Sequence, residues 1–257
     1  MIVGGISTKG YSSNSFSDAQ IVDLSNQTSK CSSLQNYPYA FSQGTGALVS
    51  GHAIICGGYS RSSGSAHSDC YHHRKATNSW IFLTNMTTKR HHSASVPVKG
   101  KLWVLGGRDG DNKKLSTTEY ISPDSGASQP GPDLPSPRAE HCAVKLSNGK
   151  VIVLGGALGP SRKSAIIFNP DTETFDQSLP TMTYDRSRFG CATFNSQLHE
   201  NREVVLAVGG ANTFIAEVLD YTQPNPAWTT SNYSVIFFLT SHHTLMLFYH
   251  SRAHFWL

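Results

Sequence analysis

The sequence predicts an all-β protein made of about five similar units, each with four short strands. A pair of adjacent glycines follows an apolar, strand-like run at residues 4–5, 57–58, 106–107, 155–156 and 209–210. The first glycines of successive pairs are 53, 49, 49 and 54 residues apart, and such a period indicates a repeat architecture. Only 15% of the residues are charged, and Gly, Ser, Thr and Pro separate the apolar runs, which is typical of short strands joined by turns.

The unit that repeats contains four predicted strands, which we call a to d in chain order. Strand a carries small residues at matching places, such as Cys142-Ala143 and Cys191-Ala192, and strand b is the apolar run before the glycine pair. Large residues end strand c or begin strand d: Tyr71, Trp80, Tyr120, Phe168, Phe175, Leu219 and Trp228. Asn148-Gly149 predicts a hairpin between strands a and b, and Asp109-Gly110 predicts a turn with positive φ after strand b.

A four-stranded sheet of this size cannot bury both of its faces alone, whereas radial stacking of such sheets buries them. The sequence therefore predicts a β-propeller. Small residues suit strand a, because the strand nearest the axis is the most crowded. The glycine pair allows strand b to end in close contact with its neighbours, and Tyr71 and Trp80 are predicted to pack between adjacent blades.

The apolar run, the Gly-Gly pair and the spaced Tyr and Trp over residues 1–228 closely resemble the kelch repeat. The set of doublet, Tyr and Trp is complete in the unit at 41–88, while Gln129 and Phe175 stand at the Trp position of two other units. The resemblance implies one kelch-type β-propeller of about five four-stranded blades, and the first unit is expected to lack its strand a because the sequence begins at a strand b. The units are expected at 1–40, 41–88, 89–136, 137–184 and 185–228.

Residues 229–257 are predicted to form an atypical C-terminal tail. The tail is long enough to supply a strand d near 234–239 and the missing strand a near 244–249. However, it carries Leu245, Met246, Leu247 and Phe248 where the other strands a carry small residues, and overpacking is costly. We therefore expect an open ring, with the apolar faces of its terminal blades exposed.

Charge and hydropathy exclude several classes of partner. The net charge is +4 and no lysine- or arginine-rich block is present, so no nucleic acid is predicted. The apolar run near the C-terminus is divided by His242 and His243 and falls short of the roughly 18 residues that span a bilayer. The segment "MIVGG" has no features of a signal peptide, and the compartment stays open.

The five cysteines, at 31, 56, 70, 142 and 191, do not indicate a disulfide framework, because their number is odd and their spacing is wide. Cys142 and Cys191 are expected to be small packing residues. Cys56 and Cys70 are expected on neighbouring strands of one blade, where one disulfide is an open alternative.

No catalytic or metal-binding pattern stands out. The histidine pairs at 72–73, 91–92 and 242–243 would present one ligand to each face of a strand, and no Cys or carboxylate completes a ligand set at the right spacing. We therefore predict no enzyme activity, no metal and no cofactor.

In kelch propellers, ligands bind at one end of the ring. The resemblance implies that this end is formed by the loops after the glycine pairs and by the segments before strand a. The partner-binding residues expected there are Tyr59, Arg61, Arg90, His91, Arg108, Arg138, Glu140, Arg186 and Arg188. Arginines from several blades favour an acidic or phosphorylated peptide. For Arg90, Arg138 and Arg186, an equal alternative is that they brace adjacent blades, whereas Arg108 is expected to be exposed.

The predicted function is a protein-interaction module that binds a partner protein or peptide. Kelch proteins often carry cullin-binding domains, so the resemblance implies the substrate-reading part of a ubiquitin-ligase adaptor. The alternative is an extracellular kelch protein with a structural or carbohydrate-contacting role. A Cys56–Cys70 disulfide and glycans at the sequons of Asn26, Asn85 and Asn232 would favour it. A propeller enzyme is the third candidate and would need a bound metal.

Limited proteolysis is expected to remove the tail at or after residue 229, while the residues before Trp228 survive. The physical reason is that a segment foreign to the repeat lacks the strand pairing that protects the blades. Mass spectrometry of the resistant core measures the cleavage site. A tail that resists protease as well as the blades do would show instead that it closes the ring.

Overall fold

A computed structural model describes residues 2–6, 15–21, 32–157, 159–176, 179–211, 213–231, 234–240 and 243–249. Within these ranges, four antiparallel sheets have four strands each, one sheet has three strands, and one has two. The helical residues described are confined to three short 3-10 helices, Lys75–Thr77, Pro160–Lys163 and Gln197–His199. The predicted all-β fold, an incomplete propeller, is confirmed.

The strands follow the predicted units, and we number the blades 1 to 5 in chain order. Blade 1 contains β1 (Ile2–Ile6), β2 (Ser15–Ile21) and β3 (Ser32–Ser33). Blade 2 contains β4 (Thr45–Val49), β5 (His52–Ser60), β6 (Ser65–Arg74) and β7 (Ser79–Asn85). Blade 3 contains β8 (Ala94–Val98), β9 (Lys101–Leu105), β10 (Thr118–Ser122) and β11 (Ala127–Pro130).

The remaining strands continue this order. Blade 4 contains β12 (Cys142–Lys145), β13 (Val151–Leu154), β14 (Ala165–Asn169) and β15 (Thr174–Asp176). Blade 5 contains β16 (Gly190–Ser196), β17 (Arg202–Val208), β18 (Ala216–Leu219) and β19 (Trp228–Ser231). The last two strands are β20 (Ser234–Thr240) and β21 (His243–Tyr249).

The central part of strand b in each inner blade is apolar, because both of its faces are buried between blades. In β9, Leu102 and Val104 belong to the core shared with blade 2, whereas Trp103 and Leu105 belong to the core shared with blade 4. Successive strands a, which are β4, β8, β12 and β16, contact one another. Alternating side chains of one strand thus join two neighbouring cores.

The glycine pair forms a seam with the next blade. Gly57 has a φ of 61°, and a Cβ there would lie 2.4 Å from the carbonyl oxygen of Arg90, so no side chain fits. The N–H of Gly58 donates to that same oxygen at 2.9 Å. The equivalent hydrogen bonds join Gly107 to Arg138 and Gly156 to Arg186, also at 2.9 Å. The doublet is therefore needed for close backbone contact between blades.

The C-terminal strands do not complete blades 5 and 1 in the way that the length of the tail would have allowed. Strand d of blade 5 is β19, in which Trp228 pairs with Leu219, so residues 234–239 do not supply it. Instead, β20 pairs with β21 in a two-stranded sheet. Val204 and Val205, on opposite faces of β17, are both 0% exposed. Strand b of this terminal blade is therefore buried on both faces. Residues 229–231 belong to β19 and hence to blade 5, whereas the open ring and the assignment of the rest of 229–257 as foreign to the repeat stay predictions.

Two predicted turns have different outcomes. Asn148-Gly149 connects β12 and β13 as predicted, with Gly149 at a φ of 83°. Asp109-Gly110 does not form the predicted turn with positive φ, since that conformation is found at Asn112, at 65°. The reason is local, because the Asp109 carboxylate accepts the N–H groups of Asp111 and Lys113 at 3.0 and 2.9 Å and thereby shapes the loop.

The cysteines form two disulfides among the described residues. Cys56–Cys70 joins β5 to β6, which resolves the alternative that the sequence left open. Cys142–Cys191 joins β12 to β16 with a Cα–Cα distance of 6.0 Å, so the expectation of unpaired packing residues is wrong. Cys142 pairs with Leu154 and Cys191 with Ala207, so the two cysteines differ by one residue in their register with strand b. Because neighbouring residues of a strand point to opposite faces, this offset turns the two side chains towards each other across the seam, although they are 49 positions apart in sequence.

Several sequence predictions fall partly outside the described residues. Cys31 and the sequon residues Asn26 and Asn232 lie outside them. Asn85 is exposed at the end of β7. No helix in the described part of the chain has the length and apolarity needed to cross a bilayer.

An aromatic cluster joins blades 1 and 2, as predicted for Tyr71 and Trp80. Trp80 is 9% exposed and shares its core with Ala19, Tyr37 and Phe41, against which Tyr71 packs. The rings of Trp80 and Tyr37 are 5.1 Å apart. The Trp80 indole N–H also donates to the carbonyl of Gln35 at 3.0 Å, and Trp228 makes the equivalent bond to Pro180 between blades 4 and 5.

Trp80→Ala is expected to lower the free energy of unfolding by about 3–5 kcal/mol, because it leaves a cavity between two blades and removes a hydrogen-bond donor. Urea denaturation measures the change. The control is Phe82→Ala on the same strand, where the residue is 52% exposed and the loss should be about 1 kcal/mol or less. Equal losses for the two variants would contradict this packing.

Candidate functional site

The end of the propeller that carries the glycine pairs is organised by a belt of four residues. Gln43, His92, Glu140 and Arg188 have left-handed φ values of 61°, 56°, 59° and 53°. The N–H of each of the last three donates to the carbonyl of the preceding member at 2.9 Å. The belt therefore links blades 2 to 5 and places one side chain from each of them at equivalent positions.

Four charged residues from blades 3, 4 and 5 surround a cavity of about 300 Å³ at this end, and we call them the mouth: Arg108, Glu140, Arg162 and Arg188. Gly156, Ala157, Arg186, Ser187 and Ala211 complete its lining. Glu140 is the centre of the charges, with Arg188 Nε at 3.0 Å and Arg108 Nη2 at 3.5 Å. Arg162 is paired instead with Asp185, at 3.4 Å. Three guanidinium groups against two carboxylates leave these groups with a net positive charge.

Burial and neighbouring charges set the protonation of this cluster. Burial alone would raise the pKa of Glu140, but the hydrogen bond from Arg188 and the charges of Arg188, His92 and Arg108 lower it below its usual value. Burial lowers the pKa of His92 to about 4 and outweighs the attraction of Glu140. At neutral pH, Glu140 is therefore ionised and His92 is uncharged, so the positive charge is carried by arginines alone.

The structure brings some predicted partner-binding residues together and leaves others outside the mouth. Arg108, Glu140 and Arg188 meet at the mouth. Arg108 is less exposed than expected, because its side chain is only 15% exposed beside Glu140, whereas that of Arg188 is 55% exposed. The backbone N–H and C=O groups of Arg108 also form hydrogen bonds with those of His91. This pairing fixes the loop that carries Arg108 to the segment before strand a of the same blade.

Tyr59 and His91 form a second group, on blades 2 and 3, whereas Arg61 lies in the loop that follows β5, with its backbone N–H 3.4 Å from Ser15 Oγ. His91 is buried, with Nδ1 3.1 Å from Gln43 Oε1 and its ring 5.2 Å from that of Tyr59. Burial lowers the pKa of His91, followed by the charge of Arg108. Tyr59 is half-buried and Arg61 is exposed. This group flanks the mouth through the backbone pairing of His91 with Arg108.

Arg90, Arg138 and Arg186 are not available to a partner, which corrects their inclusion among the binding residues. They are 1%, 1% and 0% exposed. Each guanidinium donates to the carbonyl of the first glycine in its own blade, at 2.8, 3.2 and 2.7 Å respectively. The bracing alternative therefore describes these three residues.

Two of the buried arginines have a buried carboxylate partner. Arg90 donates to Glu119 at 2.7 Å. Arg186 donates to Glu217 through Nε and Nη2, at 3.1 and 2.7 Å, and Glu217 also accepts the N–H groups of Thr183 and Tyr184. In blade 4, Ile166 pairs with Val153 at the place where the other two blades have a glutamate. Burial lowers the pKa of Arg138 to about 10.

Arg162 is the mouth residue that sequence reasoning missed. It lies in the 3-10 helix Pro160–Lys163, within a loop that has no counterpart at a matching repeat position. Its Nη1 is 3.4 Å from Asp185 Oδ2, and its side chain is 37% exposed. The only sequence signal was Pro160, which favours the first turn of a helix but does not predict where the helix points.

The described residues contain no cluster of three or more His, Cys, Asp or Glu side chains able to hold a metal ion. The guanidinium groups at the mouth suit ionic and hydrogen-bonding contacts with carboxylates and phosphates.

Comparisons with known proteins show that this chain is similar to proteins that contain kelch repeats. The family model described as Kelch motif matches residues 89–135. An F-box/kelch-repeat protein of Arabidopsis thaliana is 31% identical over 111 residues, which are 42% of this chain and 29% of that protein. Kelch-like protein 33 of Homo sapiens is 29% identical over 137 residues, covering 52% of this chain and 25% of the relative.

A third relative is the spermatocyte protein spe-26 of Caenorhabditis elegans, at 24% identity over 148 residues, which cover 54% of this chain and 26% of the relative. The matched region thus spans between a quarter and 29% of the length of these three proteins.

Glu217→Ala is expected to lower the free energy of unfolding by about 3–5 kcal/mol, because it leaves the Arg186 guanidinium buried without a counter-charge. Urea denaturation at neutral pH measures the loss. The control is Asp124→Ala, which removes an exposed carboxylate and should change stability by about 0.5 kcal/mol or less. If both variants unfold at the wild-type urea concentration, the ion pair does not brace the blades.

Proposed function

We propose that this chain, a kelch-repeat protein and so a protein-interaction module, binds an acidic or phosphorylated peptide segment of a partner protein at the mouth. The observation that carries the proposal is the gathering of Arg108, Arg162 and Arg188 from three blades around a cavity of about 300 Å³. Only one carboxylate, Glu140, lies among them in the cavity lining.

The exposure of the guanidinium groups supports binding of an anionic side chain. The side chains of Arg188 and Arg162 are 55% and 37% exposed, so each can turn donors towards a ligand. Glu140 holds Arg108 and Arg188 in place before the ligand arrives, which reduces the entropy lost on binding. Tyr59, Arg61 and His91 are proposed as flanking contacts on blades 2 and 3.

The wider role that we propose is the substrate-reading part of a ubiquitin-ligase adaptor. The support is that one relative is named an F-box/kelch-repeat protein and another a Kelch-like protein. In this role the propeller supplies recognition rather than catalysis, and its partner is a protein rather than a nucleic acid.

An extracellular kelch protein with a structural or carbohydrate-contacting role is the second candidate, and the two disulfides favour it because such bonds persist in oxidising compartments. The exposed Asn85 is the sequon to examine. Intact mass of the natural protein, before and after glycosidase treatment, tests this role. A glycan on Asn85 would support it, and an unmodified asparagine would favour the adaptor.

The main proposal is tested with a fluorescein-labelled decapeptide of alternating Glu and Gly that carries a central phosphoserine. Its affinity for the full chain is measured by fluorescence anisotropy. The comparison peptide has Gln and Ser at the acidic positions. Arg188→Ala is expected to weaken binding of the acidic peptide by about tenfold or more, since a hydrogen bond to a charged group contributes about 1.5–3 kcal/mol, and added salt should weaken it further.

The control is Arg74→Ala, which removes an exposed arginine at the opposite end of blade 2 and should leave the affinity unchanged. Equal affinity for the acidic and neutral peptides would refute the proposed ligand class. Equal losses in the Arg74 and Arg188 variants would refute the mouth as its site.

A further inference from the structure

The two disulfides lie in different environments. Cys56 and Cys70 are both 0% exposed and lie in the core between blades 2 and 3. Cys142 and Cys191 are only partly buried. The second pair is therefore the more accessible of the two to a thiol reagent, although Cys191 also packs against the core between blades 4 and 5.

The two disulfides also constrain the fold differently. Cys56 and Cys70 are directly paired residues of hydrogen-bonded strands in one sheet. Cys142 and Cys191 lie in β12 and β16, which belong to separate sheets, and they are 49 positions apart in sequence. Only the second disulfide is a covalent link between blades, and closing a longer loop constrains the chain more.

The link between blades lies next to the mouth. Cys142 is two residues after Glu140, and Cys191 is three residues after Arg188. These two mouth residues are joined by the ion pair at 3.0 Å and by the belt hydrogen bond at 2.9 Å. The disulfide and the ion pair therefore join the same two blades at neighbouring positions of the chain.

We propose that Cys142–Cys191 is a redox-active modification site, reduced by small thiols such as glutathione, and that its state sets the geometry of the mouth. The regulatory part rests on the proposed function of the mouth, whereas selective reduction does not. More accessible disulfides are in general more easily reduced, and fully buried structural ones resist reduction; Cys142 and Cys191 are partly buried, whereas Cys56 and Cys70 are fully buried.

The reaction is thiol–disulfide exchange. The thiolate of one glutathione attacks a sulfur of the pair, the S–S bond breaks, and the other cysteine leaves as a thiolate that is then protonated. A second glutathione attacks the mixed disulfide and releases the first cysteine. Two glutathione thiols are oxidised to one disulfide, and the cysteine pair gains two electrons and two protons.

Selective reduction is tested on the full chain, purified without reductant and incubated with increasing glutathione. Free thiols are blocked with iodoacetamide and each cysteine is quantified by peptide mass spectrometry, so that Cys31 is read from its own peptide. Cys142 and Cys191 are expected to become labelled at a glutathione concentration roughly tenfold lower than Cys56 and Cys70. Free Cys142 and Cys191 before treatment, or reduction of both pairs together, would overturn the proposal.

The regulatory part is tested with the phosphoserine peptide described above. Reduction is expected to weaken its binding by about fivefold or more, a common size for coupling between sites. The Cys142→Ser/Cys191→Ser variant should bind like the reduced protein and ignore glutathione, while Cys31→Ser should respond like the wild type. Equal binding to both redox forms would overturn the regulation alone. A peptide that binds neither form would refute the proposed function, and the labelling result would still decide whether the site is reducible.

Discussion

The seam between a glycine pair and the next arginine is the contact on which the rest of the structure depends. The second glycine donates its N–H to the carbonyl oxygen of the next blade's arginine, as Gly58 does to Arg90 at 2.9 Å. The guanidinium of that arginine then donates to the first glycine of its own blade, Gly106, at 2.8 Å. Each arginine thus ties two doublets together, and side chains at the glycines would separate the blades.

The same seam also builds the candidate site. The residue two positions after each buried arginine takes a left-handed conformation, as Glu140 does after Arg138 and Arg188 does after Arg186. This reversal of direction allows one residue to point into the blade while the second faces the mouth. The mouth is therefore positioned by the most tightly packed part of the molecule, and its charged groups are ordered before any ligand binds.

The repeat spacing predicted where the site lies more accurately than it predicted which residues line the site. Arg186 and Arg188 are both arginines before the same strand, yet one is 0% exposed and the other has a side chain 55% exposed. Arg162 comes from an irregular loop and has no repeat position from which to predict it. The sequence placed Cys142 and Cys191 at equivalent positions, but their register with strand b differs by one residue, and this offset, which the sequence did not reveal, lets their sulfur atoms meet.

The sequence by itself determined the period, the apolar strands and the need for glycine where strand b ends. These features are local, because each depends on the few residues around it and is repeated in every blade. Only the tertiary structure decided which arginines brace the blades, which form the mouth and which cysteines bond. Those outcomes depend on distances between residues about 49 positions apart, such as Glu140 with Arg188 or Cys142 with Cys191. Such distances are set by the stacking of whole blades, and no single unit of the sequence contains them.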